Sequence, residues 1–180
     1  MGEVELGQEL RAKIKKVRLV ILDCDGVMTD GSIIYSEHGG ETKAFNVRDG
    51  HGIKLLKSVG IECAIITARS SEVLKRRASE LGIEHLYQKE LDKAAAYNKL
   101  LLNSKCEPDE TLYIGDDIID IPVFTRVGVA VAVADAVDEL LARADYVTEK
   151  CGGRGAVREV AEIIMKVQGK WSSVMARFLD

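Results

Sequence analysis

Short apolar runs alternate with polar, helix-length stretches along most of the chain. The first run, Val17 to Leu22, leads straight into Asp23-Cys-Asp-Gly26. A short continuous apolar run bounded by glycine predicts a buried strand of a parallel sheet. Further runs of this kind are Ile61 to Thr67, Ile83 to Gln88, Thr111 to Gly115, Val127 to Val133 and Tyr146-Val147. Between them the pattern predicts helices. Leu6 to Ile14 is a short amphipathic one, and Ile53 to Val59 is stopped by Gly60. Ser70 or Ser71 caps a third that runs to Leu81 before Gly82. Asp92 to Asn103 is a fourth, with Leu100 to Leu102 toward the core. Asp117 to Thr125 and Val137 to Ala142 follow, and Gly152-Gly-Arg-Gly155 opens a helix to about Val167.

Two segments depart from this alternation. Between Gly31 and Phe45, two short apolar runs flank Glu37-His-Gly-Gly40, which predicts a β-hairpin over residues 32–44, lying above the end of the first strand. Arg48-Asp-Gly-His-Gly52 reads as a turn, and 169–180 as a tail carrying Trp171, Met175 and Phe178. Strands alternating with helices of about ten residues predict right-handed βαβ units. The fold class is α/β, a doubly wound parallel sheet with a hairpin inserted after the first strand. No repeat or linker divides the chain, so residues 1–180 read as one domain.

Composition narrows the function classes. The chain is 47% hydrophobic and 30% charged, as an ordinary globular protein is. No apolar run reaches the about 18 residues that span a bilayer, and the charged N-terminus lacks the apolar core of a signal peptide. Both argue for the cytoplasm and against a membrane partner. The four cysteines are scattered singly, which disfavours zinc or a disulfide framework, and Cys24 and Cys63 lie in apolar runs as buried thiols do. A net charge of −4 with no basic stripe argues against nucleic acid. His38, His51 and His85 have no ligand spacing.

The chemistry gathers at the strand ends. Strand period two puts Asp23 and Asp25 on one side, where two carboxylates repel each other and a cation relieves the repulsion. Thr67 ends the second strand and Lys93 begins a helix after the third. Asp116 and Asp117 follow the fourth strand, with Asp120 one turn on. In a doubly wound sheet these ends face one crevice. Carboxylates, a lysine and a hydroxyl there suit Mg²⁺ and a phosphate. One carboxylate can attack phosphorus, while the other protonates the leaving oxygen and then activates water. Lys93 and Thr67 can bind the non-bridging oxygens. Taken singly, each residue has an ordinary alternative: Thr67 a strand-end hydroxyl, Lys93 a solvated helix residue, Asp117 an N-cap. The ordered set is what speaks for chemistry.

That order resembles the haloacid dehalogenase superfamily of phosphatases. Leu22-Asp-Cys-Asp-Gly-Val27 matches its first motif, Thr67 its second, Lys93 its third and Gly115-Asp-Asp-Ile-Ile-Asp120 its fourth. The resemblance implies that Asp23 is the nucleophile and Asp25 the general acid/base. It further implies Mg²⁺ held by Asp23, the backbone carbonyl of Asp25, and Asp116, with Asp117 and Asp120 orienting the site from behind. Within that superfamily the chain is similar to the 3-deoxy-D-manno-octulosonate 8-phosphate phosphatase family. The residues that carry this are Asp25 to Gly31, Phe45-Asn-Val-Arg-Asp-Gly50, Gly115 to Val123 and Gly152 to Glu159.

The closer resemblance implies no large cap domain, a homotetramer partly built by the hairpin, and a role in lipopolysaccharide biosynthesis. It implies substrate contacts at Asp25, Asn46, Val47, Arg48, Asp49, Gly50, Lys54, Arg69, Arg77 and Lys93. It also implies a tail that can enter a neighbour's active site, although Trp171, Met175 and Phe178 could equally pack on their own subunit. Two positions depart from the family: Lys54 stands where arginine is usual, which loses a bidentate fork, and the second motif reads Thr67-Ala-Arg69 rather than Thr-Gly-Arg.

Three other functions compete. Close relatives act on nine-carbon keto-sugar acid 9-phosphates, and Arg69 favours the octulosonate because some of those relatives carry Glu there. A receiver-like signalling domain shares an Asp pair, a Thr and a Lys. It needs an acceptor Asp after a middle strand, where this chain has Thr67. A catalytically silent subunit is disfavoured by the intact Asp23, Asp25, Lys93 and Asp116.

Overall fold

The computed structural model describes residues 6–179. Eight strands and eight α-helices lie within that range: α1 Gln8–Lys16, β1 Leu19–Leu22, β2 Ile34–Tyr35, β3 Glu41–Thr42, α2 Val47–Ser58, β4 Glu62–Ile66, α3 Glu72–Leu81 and β5 His85–Tyr87, then α4 Lys93–Ser104, β6 Thr111–Gly115, α5 Ile121–Phe124, β7 Val129–Ala132, α6 Asp138–Leu141, β8 Tyr146–Val147, α7 Ala156–Val167 and α8 Trp171–Leu179. Six strands form one parallel sheet in the order β5-β4-β1-β6-β7-β8. Strands β2 and β3 form a separate antiparallel hairpin.

The chain therefore starts in the middle of the sheet, builds outward to β5, then returns to lay β6 against the other side of β1. Right-handed crossovers in opposite directions put α2 and α3 on one face and α4, α5 and α6 on the other. Helix α7 comes back to the first face, packing on α2 and α1. The reversal between β1 and β6 is the point where ligands bind in such sheets. Strands β1, β6 and β7 are buried throughout, which is why their sequences are continuous apolar runs without alternation.

Several boundaries differ from the sequence expectations, each for a local reason. Arg48 to Gly52 is the first part of α2 rather than a turn. Asn46 caps this helix by accepting from the Arg48 amide, and its glycines serve close packing instead of chain reversal. A Cβ on Gly52 would lie 3.1 Å from the Arg158 backbone of α7. Segment 117–125 is a 3-10 turn, Ile118–Asp120, followed by α5, because the reciprocal caps of Asp117 and Asp120 tighten the first turn. Leu100 is fully buried while Leu102 is 81% exposed. Successive helical residues are about 100° apart, so three in a row cannot share a core face. The tail is helical: Val174 is fully buried, and Trp171 lies beneath Arg158 and Lys166.

Candidate active site

Register forces the chemistry to one edge. Leu22 is level with Ile65 of β4 and Ile114 of β6. The next residues out are Asp23, Ile66 then Thr67, and Gly115 then Asp116, so three strand ends finish within one residue of each other. The Asp23 amide continues the ladder by donating to the Ile114 carbonyl at 3.0 Å. Three segments in this way deliver polar side chains to the crevice at the sheet reversal.

Asp23 is 4% exposed. Its Oδ1 accepts from the Cys24 amide at 2.7 Å, and its Oδ2 lies 2.9 Å from Lys93 Nζ. Lys93 comes from the first turn of α4, where Asp92 caps the helix. Its ammonium also donates to Asp120 Oδ1 at 2.6 Å and to Tyr113 Oη at 3.3 Å. Tyr113 in turn donates to Asp120 Oδ1 at 2.7 Å. The other Asp120 oxygen accepts from the Asp116 and Asp117 amides at 3.0 and 3.3 Å. Asp120 thus holds the turn after β6 and aims Lys93 at Asp23.

Carboxylate oxygens of Asp23, Asp116 and Asp120 all lie within 4.8 Å of one another. Both Asp120 oxygens already serve four protein donors, which leaves Asp23 and Asp116 with capacity for a cation. Their electrostatics show that charge is in excess. Burial pushes the Asp116 carboxyl up to about 8, with the Asp23 and Asp120 charges adding to it. Burial also raises Asp23, to about 6, against the pull of Lys93. Burial pulls Lys93 down, yet Asp23 and Asp120 outweigh it and its pKa is raised. One lysine cannot neutralise three carboxylates. An all-oxygen, net negative donor set of this kind fits a hard divalent cation.

Asp25 has different surroundings, although only Cys24 separates it from Asp23. Its Oδ1 is ion-paired with Lys43 Nζ, and its Oδ2 lies 3.4 Å from Arg69 Nε. Arg69 Nη2 donates to Glu41 at 2.8 Å. Thr67 is buried, and its Oγ1 accepts from the Arg69 amide at 3.3 Å, fixing the loop after β4. Among the described residues, Arg69 Nε and Arg77 Nε are buried without a hydrogen-bond partner. Arg77 packs against Gly50, where any Cβ would collide with its guanidinium, and lies over the Phe45 ring. Arg76, its neighbour, is solvent-exposed.

The remaining expected substrate residues lie on α2. Asn46, Val47 and Arg48 line a groove of about 900 Å³ together with Lys150, Arg154 and Arg158. None of Asp23, Asp25, Thr67, Lys93 and Asp116 lines this groove. Val47, Arg48 and Lys54 are exposed, whereas Asp49 and Gly50 are buried. Both Asp49 oxygens are engaged with the start of α7, accepting from the Gly155 amide at 3.1 Å and the Arg158 amide at 2.8 Å. Glycines in the 152–155 segment let it sit against the first-motif loop: the Gly153 amide donates to the Val27 carbonyl at 2.9 Å, and a Cβ on Gly152 would overlap the Gly26 carbonyl.

Lys43, Glu41 and Tyr113 were not singled out from sequence. A usable signal existed for the first two. In a strand, 41, 43 and 45 share a face, and here Lys43 is buried while Thr42 and Ala44 are exposed. An acid and a base on the inner face of a hairpin above two aspartates point at those aspartates.

Comparison with known proteins agrees with the fold. Residues 78–159 match a family described as haloacid dehalogenase-like hydrolase. The 3-deoxy-D-manno-octulosonate 8-phosphate phosphatase KdsC of Yersinia pestis is 54% identical over 86% of this chain and 82% of its own. The Escherichia coli K12 enzyme of the same name is 50% identical over 88% of this chain and 85% of its own. The crystal structure of the Moraxella catarrhalis phosphatase, in complex with a magnesium ion, a phosphate ion and KDO, superposes with a TM-score of 0.92 at 44% identity, covering 94% and 98% of the two chains. With half its residues shared across most of its length, and the same architecture, the chain belongs to the 3-deoxy-D-manno-octulosonate 8-phosphate phosphatase family of haloacid dehalogenase-like hydrolases.

Proposed function

We propose that the chain hydrolyses 3-deoxy-D-manno-octulosonate 8-phosphate to the free sugar acid and phosphate, with Mg²⁺, through an aspartyl phosphate on Asp23. The observation that carries this reading is the contrast between the two aspartates. Asp23 faces Lys93 and the Asp116 carboxylate; Asp25 faces Lys43 and Arg69. Two carboxylates with different surroundings suit two roles, nucleophile and acid/base.

Asp23, Asp116 and the backbone carbonyl of Asp25 would hold the metal, which offsets phosphate charge and keeps Asp23 ionised when bound. Asp23 forms the new bond to phosphorus as the sugar oxygen departs with the bonding pair. Asp25 gives that oxygen its proton, then takes one from the water that releases phosphate from Asp23. Lys93 and Thr67 bind the non-bridging oxygens, and Asp117 and Asp120 hold the loop beneath. Arg69 and Arg77, each with a buried unpartnered Nε, suit the substrate's carboxylate and hydroxyls. Asn46, Val47, Arg48, Asp49, Gly50 and Lys54 complete the substrate contacts, with Asp49 and Gly50 acting through the backbone they shape. The reading includes a homotetramer, a cytoplasmic enzyme and a role in lipopolysaccharide biosynthesis; a monomeric mass in solution would reject the assembly.

Phosphate release under Mg²⁺ tests the activity, with the octulosonate 8-phosphate beside a nine-carbon keto-sugar acid 9-phosphate and hexose phosphates. Strong preference for the octulosonate is expected. Preference for the nine-carbon acid would keep the chemistry and overturn the substrate.

A further inference from the structure

The hairpin is the least buried part of the described chain, yet it carries a lysine whose side chain is 1% exposed. Burying an ammonium is unfavourable unless its charge is met. Lys43 Nζ meets Asp25 Oδ1, and Glu41 Oε1 lies 3.8 Å away. The same Glu41 oxygen accepts from Arg69 Nη2 at 2.8 Å, and Arg69 Nε returns to within 3.4 Å of Asp25 Oδ2. Four charges of alternating sign thus close a ring. It joins three segments: the loop after β1, the hairpin, and the loop after β4. Hydrogen bonds from Ser71 and then Arg69 hold the Glu41 carboxyl below its ordinary range, so the ring's outer acid stays ionised.

The two Asp25 oxygens are not equivalent in this ring. Oδ1 is pinned by the buried ammonium. Oδ2 faces Arg69 Nε at 3.4 Å, and that Nε makes no aligned hydrogen bond. We propose that Lys43, braced by Glu41, is a positioning residue that pins Asp25 Oδ1 so that Oδ2 presents the transferable proton to the leaving oxygen. The hairpin then belongs to the acid/base apparatus as well as to the surface. This rests on the reading of Asp25 as general acid/base. In the step concerned, the bond from phosphorus to the sugar oxygen breaks, its electron pair stays on that oxygen, and the proton on Asp25 Oδ2 joins it. Asp25 is left as a carboxylate beside Lys43, ready to accept a proton from water.

Leaving-group dependence separates positioning from mere structural support. A sugar alcohol needs a proton to depart; p-nitrophenolate does not. The value of kcat/KM reports only steps up to the first irreversible one, here formation of the aspartyl phosphate. Lys43→Met is expected to lower kcat/KM for the sugar-acid phosphate by about 10- to 100-fold, a fraction of what a general acid supplies, and for p-nitrophenyl phosphate only a few-fold. Lys43→Arg, which keeps the charge, should recover part of the loss on the sugar ester. Glu41→Gln, at the better-exposed side of the ring, should show the same selectivity at smaller size, and it decides the matter if Lys43→Met does not fold. Equal losses on both esters, or no loss on either, would overturn the proposal. Asp25→Ala is the control for the underlying reading: if it too hits both esters equally, the acid/base assignment fails first, and the failure is not one of Lys43 alone.

Discussion

Removing the Asp116 carboxylate should make the metal-free protein more stable. Three acidic groups share one lysine at this site, and burial, then Asp23 and Asp120, raise Asp116 from 3.8 to about 8. Between about pH 4 and pH 8 the folded chain therefore keeps a proton that the unfolded chain gives up. Proton uptake by the folded state means that stability falls as pH rises through this window, by about 1.4 kcal/mol per unit while the difference is a whole proton. Taken over the window this is about 6 kcal/mol, and partial solvent access reduces it to about 2–3 kcal/mol at pH 8. Asp116→Asn has no charge to bury, and the backbone contacts at 116 remain, the amide donating to Asp120 and the carbonyl accepting from Val137. In EDTA at pH 8 the variant should melt about 4–12 °C above the parent, since each kcal/mol moves Tm by about 2–4 °C at this size. The gap should close toward pH 4, where the parent carboxyl is protonated in both states. With Mg²⁺ at about 1,000 times its dissociation constant the parent should gain about 4.1 kcal/mol and the inactive variant little, which reverses the order. Circular dichroism melts at two pH values, with chelator and with Mg²⁺, read all of this. A variant that melts at or below the parent at pH 8 in chelator, or a gap that ignores pH, would refute the reasoning.

Three further outcomes are expected. Asp23→Asn should abolish turnover while leaving the melt within a few degrees, because Lys93 keeps Asp120 as its partner; retained phosphate release would remove Asp23 as nucleophile. Gly152→Ala should lower stability by about 2–3 kcal/mol in a denaturant titration, since its Cβ overlaps backbone rather than a movable side chain; an unchanged midpoint would contradict that packing. Truncation after Gly169 should lower the melting temperature by several degrees, through loss of the buried Val174 and of Trp171 beneath Arg158 and Lys166; an unaltered melt would mean that α8 does not pack here in solution.

The parts of this protein that could be read from its sequence are those whose causes are local. A strand buried on both faces is mostly apolar, so β1, β6 and β7 announce themselves. Carboxylates at the end of such a strand can be seen as misplaced before any partner is known. Asp92, Ser71 and Gly82 cap the helices beside them for reasons contained in a few residues. What stayed hidden depends on partners far along the chain. Arg48 to Gly52 looked like a turn because glycine usually marks one. Here glycine reports the closeness of α7, more than a hundred residues away. Asp49 reads as one more acid near a substrate loop until Gly155 and Arg158 are seen on its two oxygens.

The same distinction applies to Asp23 and Asp25. Period two in a strand places both on one side, and the two roles open to them do not say which neighbours set them apart. What gives Asp25 a separate environment is a lysine on a two-stranded hairpin and an arginine after β4. The arginine stands in the second motif, Thr67-Ala-Arg69, but the lysine has no motif, because a buried ion pair is recognised by its burial and both neighbours of Lys43 are exposed. The electrostatic asymmetry between two aspartates with a single residue between them is thus a property of tertiary structure. The chemistry calls for two distinct groups, a nucleophile beside the metal and an acid/base at the second position along, and separate neighbours keep the two apart. The hairpin supplies that difference from outside the sheet, without disturbing the strand that carries both groups.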